Sequence, residues 1–235
     1  MSRQSTSKST ASLPDIDSTL NPCVVIDNGS GLIKSGISGT ELPKLIFPSY
    51  IGRPKHQRVI TGISTDSQYV GDRARDYRGI CKLQYCIKHG VIDSWDDMLT
   101  IWSHVYTQLN VQSNEHPILL TEPINNPITN KIKSFELLYE TLNVPAAYIA
   151  IQSILSLYAS GRTTGVVVDS GAGHSSITPV FEGYITSHAV QRSDIGGNDI
   201  NKQLQLLLRK STGYNFMSSS EIDQYMLVDQ LMMIY

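Results

Sequence analysis

Hydrophobic positions along this chain follow two periods, and the switch between them divides it into elements. CVVID (23–27) is a β-branched run that ends on an acid, and the turn residues Asn28, Gly29, Ser30 and Gly31 follow at once. Apolar alternation resumes over 32–37, so this stretch predicts a β-hairpin. From Trp95 to Leu109 the period changes. Met98, Leu99, Ile101, Trp102, Val105, Tyr106 and Leu109 recur at three and four, a helical stripe with Ser94 in the N-cap position. Trp95 and Trp102, seven apart on one face, are expected in the core. PILLT (117–121) is too short for a helix and predicts a buried strand. A second amphipathic helix is expected over about 130–142, stopped by Asn143 and Pro145, then a strand at 147–151 and a short helix at 153–159. GVVVDSGAG (165–173) repeats the strand-then-glycine-turn design, and helical patterns near 197–209 and 219–234 complete the series. Strands alternate with helices, so the expected class is α/β.

The two glycine turns share more than a class. VVIDNGSGLIKSG (24–36) and VVVDSGAGHSSIT (166–178) each read as three β-formers, an Asp, a small polar residue, a G-x-G turn and another strand, which is an internal repeat. Each unit sets a carboxylate at a strand end beside a turn whose glycines let backbone N–H groups approach an anion. Two such hairpins face to face would grip a polyphosphate from both sides, with Asp27 and Asp169 available to the water shell of a magnesium ion. Two ordinary hairpins with glycine turns remain the alternative from the pattern alone.

Composition narrows the classes. The 235 residues are 40% hydrophobic and 17% charged, enough for real cores, and a net charge of −2 gives no electrostatic case for nucleic acid or an anionic membrane. No apolar run is long enough to cross a bilayer, and residues 1–22, dense in Ser and Thr, lack the apolar stretch of a secretory signal. That segment is expected to be a flexible tail on a soluble intracellular chain. Cys23, Cys81 and Cys86 are expected to be reduced thiols. Cys81 and Cys86 lack the second ligand pair that a structural zinc site needs.

Longer segments carry a resemblance. DNGSGLIKSG (27–36), FPSYIGRPKHQ (47–57), YVGDRARDYRGI (69–80), KHGVIDSWDDM (88–98), EHPILLTE (115–122), NVPAAYIAIQSILSLYASGRTTG (143–165) and DSGAG (169–173) are similar, in order, to signature segments of actins and actin-related proteins. The match runs from about residue 23 to about residue 216 and separates the chain from sugar kinases and chaperone ATPases, which share only the hairpin pair. The resemblance implies the actin fold, two ribonuclease-H-like halves flanking a cleft for ATP or ADP with magnesium. It makes 23–48 and 86–145 the first subdomain, 49–85 the small outer subdomain that contacts the next protomer, 146–196 the start of the third, and 197–235 part of the fourth. Ser30, Gly31, Leu32 and Lys34 match the first phosphate loop, and Asp27 the acid near the metal. Asp169, Gly171 and Gly173 match the second loop, Gln152 the glutamine that positions the attacking water, and Gly197 a glycine lining the nucleotide cleft. His89 matches a histidine that is methylated in conventional actins. Without the family, Gln152 and Lys34 read as solvated side chains and His89 as a loop histidine.

The departures from the family pattern bear on chemistry. Ala172 replaces the usual second acid of the second loop. Ser176 occupies the position of the family's catalytic histidine, with His174 two residues earlier; strand neighbours two apart are displaced by about 6 to 7 Å, too far for one to do the other's proton transfer. Asp229 and Gln230 align, loosely, with the Lys and Glu that flank the ribose and adenine, and the acidic N-terminal cluster that motors bind is absent. The chain is expected to be C-terminally truncated relative to the family, with MLVDQLMMIY (226–235) exposing an apolar face and the cleft lacking a wall. The expectation is therefore an actin-like cytoskeletal or structural protein of the cytoplasm, with weak or absent hydrolysis and other actin-like or cytoskeletal proteins as partners. It would bind no nucleic acid and insert into no membrane. The alternative is an ATP-hydrolysing, filament-forming actin.

Overall fold

A computed structural model describes residues 21–55 and 68–213. The first hairpin forms as its alternation requires: β1 (Val24–Asn28) pairs antiparallel with β2 (Leu32–Ile37), with Asp27 opposite Lys34. β3 (Leu45–Pro48) adds antiparallel to β2. β4 (Tyr50–Pro54) and β5 (Tyr69–Val70), then helix α1 (Asp72–Asp76) and β6 (Cys81–Tyr85), form a small three-stranded sheet over its own core of Tyr50, Ala74, Cys81 and Leu83. Cys86 lies in the main core instead. The two cysteines that a zinc reading would pair thus belong to different clusters.

β7 (Ile87–Lys88) and β8 (Val91–Ile92) are joined by the two-residue turn His89–Gly90, both at positive φ, 47° and 79°. That is the turn geometry whose twist suits a tight hairpin. Helix α2 (Trp95–Leu109) has the expected bounds. Its stripe of Met98, Ile101, Trp102 and Val105 is fully buried on the first sheet, whereas Trp95 packs only partly buried at the edge. Ser94 makes no side-chain cap, and the helix is closed at its other end by Asn110, whose left-handed conformation returns its N–H to the carbonyls of Tyr106 and Thr107.

β9 (Ile118–Glu122) and β10 (Ala147–Ile151) complete the first sheet, in the order β10-β9-β1-β2-β3, both running parallel to β1. Parallel strands need a crossover, and the helix expected at 130–142 supplies it. It starts earlier than expected, as α3 (Ile128–Glu136) directly after Pro127, and widens into a π turn (Leu137–Thr141) that sinks Leu138 into the core. Pro127 has no N–H to lose at a helix start, which explains the earlier onset.

Helix α4 (Gln152–Ala159) leads to the second hairpin, β11 (Gly165–Ser170) and β12 (Ser175–Phe181), with Asp169 opposite Ser176. β13 (Tyr184–Ile185) and β14 (Gln191–Ser193) both pair with β12, and helix α5 (Gly197–Thr212) follows. The internal repeat extends beyond the hairpin. β14 joins the turn end of β12, at Ser175 opposite Ser193, as β3 joins the turn end of β2, at Leu32 opposite Pro48. This sheet is far less covered: Val166 and Val168 on β11 are 64% and 71% exposed. No helix among the described residues is long and apolar enough to cross a membrane. The expected tail at 1–22, apart from its last two residues, the helix at 219–234, Asp229, Gln230 and the apolar run at 226–235 all lie outside the described residues.

Candidate functional site

The two glycine turns meet. A Cβ built on Gly31 would stand 2.9 Å from the Ala172 Cβ, and one on Gly173 would stand 2.4 Å from the Ser30 Oγ. Any larger residue at either position would drive the turns apart, so glycine here serves close approach of two backbones. Beside this contact lies a cavity of about 540 Å³ lined by both turns. Asp27, Ser30, Gly31, Leu32, Lys34, Gln152, Asp169, Gly171 and Gly173 all line it, together with Ala172 and His174.

The wall on the first-sheet side is a closed hydrogen-bond network at the C-terminal ends of the parallel strands. Thr121, at the end of β9, donates to Asp27 Oδ1 at 2.8 Å and accepts the Asn28 N–H at 2.9 Å. Gln152, the first residue of α4, directs Nε2 at Asp27 Oδ1 (3.0 Å), Asn28 O (3.3 Å) and Thr121 Oγ (3.2 Å). These acceptors use its N–H groups and leave its carbonyl Oε1 outside the network. Behind them Trp102 Nε1 donates to Asn28 Oδ1 at 3.2 Å, tying the site to α2. Lys34 Nζ stands 3.6 Å from Asp27 Oδ2 across the hairpin, a pair exposed enough to contribute little stability. Two carboxylates on different walls, one already holding two hydrogen bonds, suit a hydrated cation approached through water. Among the described residues no three His, Cys, Asp or Glu side chains gather closely enough for a fully protein-ligated metal.

The far wall ties the β7–β8 turn to the second hairpin. Ser30 Oγ accepts the Gly90 N–H at 2.9 Å, and His89 Nδ1 lies 2.9 Å from Gly173 O. A carbonyl can only accept, so the proton is on Nδ1 and Nε2 is free of it in the neutral ring. Arg192, from β14, donates through Nη2 to His89 O at 2.5 Å and through Nη1 to Ile124 O at 2.6 Å. It therefore ties the second sheet to the β7–β8 turn and to the loop that follows β9. His174 lies at 7% exposure in the second turn, its Nδ1 2.7 Å from where a Gly90 Cβ would be. Burial, then the Arg192 guanidinium, hold its pKa below the usual histidine range, against the smaller pull of Asp169 and Asp194.

Two residues sit apart from the cavity. Gly197 does not line it; its N–H donates to Gly171 O at 3.0 Å, and the Asn198 N–H to Ala172 O at 2.9 Å, so the start of α5 braces the second turn from behind. Ser176 does not line it either. It is buried on the inward face of β12, its Oγ without a partner among the described residues. His174 directly precedes β12, its carbonyl accepting the Gly171 N–H at 3.0 Å, and it lines the cavity from the turn; it is buried as Ser176 is, with half-buried Ser175 between them. Sequence reasoning passed over Thr121, a polar residue closing an apolar strand, and Arg192, which nothing in a single sequence distinguishes from a surface arginine.

A family model described as Actin matches residues 19–230. An "Actin-like protein" from Neurospora crassa is 47% identical over 216 residues, 91% of this chain and 57% of that protein. The chain thus spans little more than half the length of that relative.

Proposed function

The chain belongs to the actin family, and on that premise we propose that it is an actin-like cytoskeletal or structural protein that binds ATP or ADP with magnesium between its two turns and hydrolyses ATP weakly or not at all. The observation that carries the binding half is the touching pair of turns beside one cavity of about 540 Å³, a size ordinary for small-ligand sites. In this reading Ser30, Gly31, Leu32, Gly171 and Gly173 cradle the phosphates with backbone and hydroxyl groups, and Lys34 adds a point charge. Asp27 and Asp169 hold the magnesium through its water shell, and Gly197 supports the second loop. The bound cation supplies charge neutralisation at the phosphates.

The weak-hydrolysis half rests on what surrounds Gln152. Its amide N–H groups are committed to Asp27, Asn28 and Thr121, which fixes the side chain and leaves Oε1 to orient a water. Ala172 brings no carboxylate to that water, and Ser176 is buried with no reach into the cavity. Proton-transfer groups contribute about 10²- to 10⁴-fold to rate, so their loss leaves binding without efficient turnover. Cytoplasmic location and cytoskeletal partners follow from family membership in the same proposal. The test is phosphate release from magnesium-ATP by the purified chain, expected near background. Robust release that disappears in Gln152→Ala would favour the filament-forming ATPase instead.

A further inference from the structure

We propose that His174 is the group by which this chain distinguishes ATP from ADP, its ring donating a hydrogen bond to the terminal phosphate. The inference rests on the nucleotide-binding reading above and adds to it a residue that this reading does not use. Three segments converge on one corner of the cavity: Ser30 of the first turn, Gly90 of the β7–β8 turn, and Gly173 with His174 of the second. Ser30 Oγ and the His174 ring both reach Gly90, one by a 2.9 Å hydrogen bond and the other with Nδ1 only 2.7 Å from where its Cβ would be. Gln152 lines the same cavity, so a phosphate lying against this corner shares its space with the one side chain placed to orient a water.

The titratable groups lining the cavity support the assignment. Asp27 and Asp169 are its acids, and Lys34 and His174 its bases. Lys34 supplies the cavity's lining cation, 3.6 Å from Asp27, whereas His174 has no carboxylate at ion-pair distance among the described residues and, with burial and Arg192 disfavouring a charged ring, meets a phosphate as a neutral N–H donor. Ala172 puts no negative charge beside it. A terminal phosphate carries more charge than the bridging ones, and a buried imidazole that can donate to it gains strength from low local dielectric. The ring packs closely on Gly90, which restricts its rotation at the cavity wall.

The experiment compares ATP and ADP affinities, each with magnesium, for the wild-type chain, His174→Val and His174→Gln, by calorimetry or competition with a fluorescent analogue. The expected result is an ATP affinity at least about fivefold weaker in His174→Val with ADP affinity changed less than about twofold, and partial recovery in His174→Gln, which restores a donor. A ring with a merely structural role would weaken both nucleotides together. Parallel losses, or an unchanged ATP-to-ADP ratio in both variants, overturn the inference while leaving nucleotide binding intact. If the wild-type chain binds neither nucleotide, the functional reading itself fails, and this inference with it.

Discussion

Replacing Thr121 with Val tests whether the hydroxyl at the end of β9 organises the site. The side chain is buried, and valine has nearly the same shape, so the change removes hydrogen bonds without opening a cavity. Three contacts disappear: donation to Asp27 Oδ1 at 2.8 Å, and acceptance from the Asn28 N–H and from Gln152 Nε2. Gln152 keeps two other acceptors and loses little. The Asn28 N–H is left buried with no partner, at a cost of about 1–3 kcal/mol. The bond to the Asp27 carboxylate is discounted because that side chain is 33% exposed and water can replace the donor. The total is about 2–4 kcal/mol, which lowers a urea midpoint by about 1–2 M at an ordinary m-value. Thr121→Ser keeps the hydroxyl and gives up one methyl group, about 1 kcal/mol. Urea unfolding of the three proteins, followed by tryptophan fluorescence, should therefore rank wild type, Ser, then Val. A valine variant as stable as wild type, or more stable than the serine variant, refutes the argument.

Further expectations follow from the same contacts. Gly90→Ala meets both a φ of 79° and the His174 ring and should lose about 2 kcal/mol or more, whereas Gly79→Ala, which meets nothing within 4 Å, should change stability by less than about 0.5 kcal/mol in the same assay. Arg53→Ala strands the fully buried Asp97 carboxylate, to which Arg53 makes two parallel bonds, and should cost about 3 kcal/mol; Arg53→Lys should recover only part, because a point charge cannot reproduce the fork. Arg192→Ala releases the His89 and Ile124 carbonyls and should speed amide exchange around residues 89–90 and 124 more than in β1 or β9, read by mass spectrometry. His104 and His174 both titrate below the usual histidine range, chiefly through burial. A depressed base is neutral in the fold and takes up its proton more readily when unfolded, so stability should fall as pH drops below about 6.5 and level off above it. Unfolding free energies between pH 5 and 8 should show that slope, and His104→Asn should flatten part of it.

Much of the architecture is legible because it is local. The 23–37 and 165–178 hairpins announce themselves by alternation and glycine, and α2 by a stripe whose period is hard to mistake. What the sequence does not reveal is long-range. Whether Asp27 meets Gln152 depends on β9 and β10 running parallel beside β1, and no local pattern fixes that register. Arg192 looks like any strand arginine until the fold brings Ile124 and His89 within reach. Serine at 94 has the right chemistry for a cap, but its side chain makes no capping bond, and the neighbouring carboxylate of Asp97 is drawn instead to Arg53. Alternation carries from β12 back to His174, so His174 and Ser176 are both buried, but only the fold shows that His174 lines the cavity and Ser176 does not.

The central claim is that these two turns hold a nucleotide beside a water-positioning glutamine that lacks its chemical partners. It is tested most directly by restoring the one whose position faces the cavity, as phosphate release from magnesium-ATP by the wild-type chain and by Ala172→Asp. The account predicts near-background release by the wild type and a rise of at least about tenfold in Ala172→Asp, lost again when Gln152→Ala is added. Fast release by the wild type, with no gain in Ala172→Asp, would contradict it.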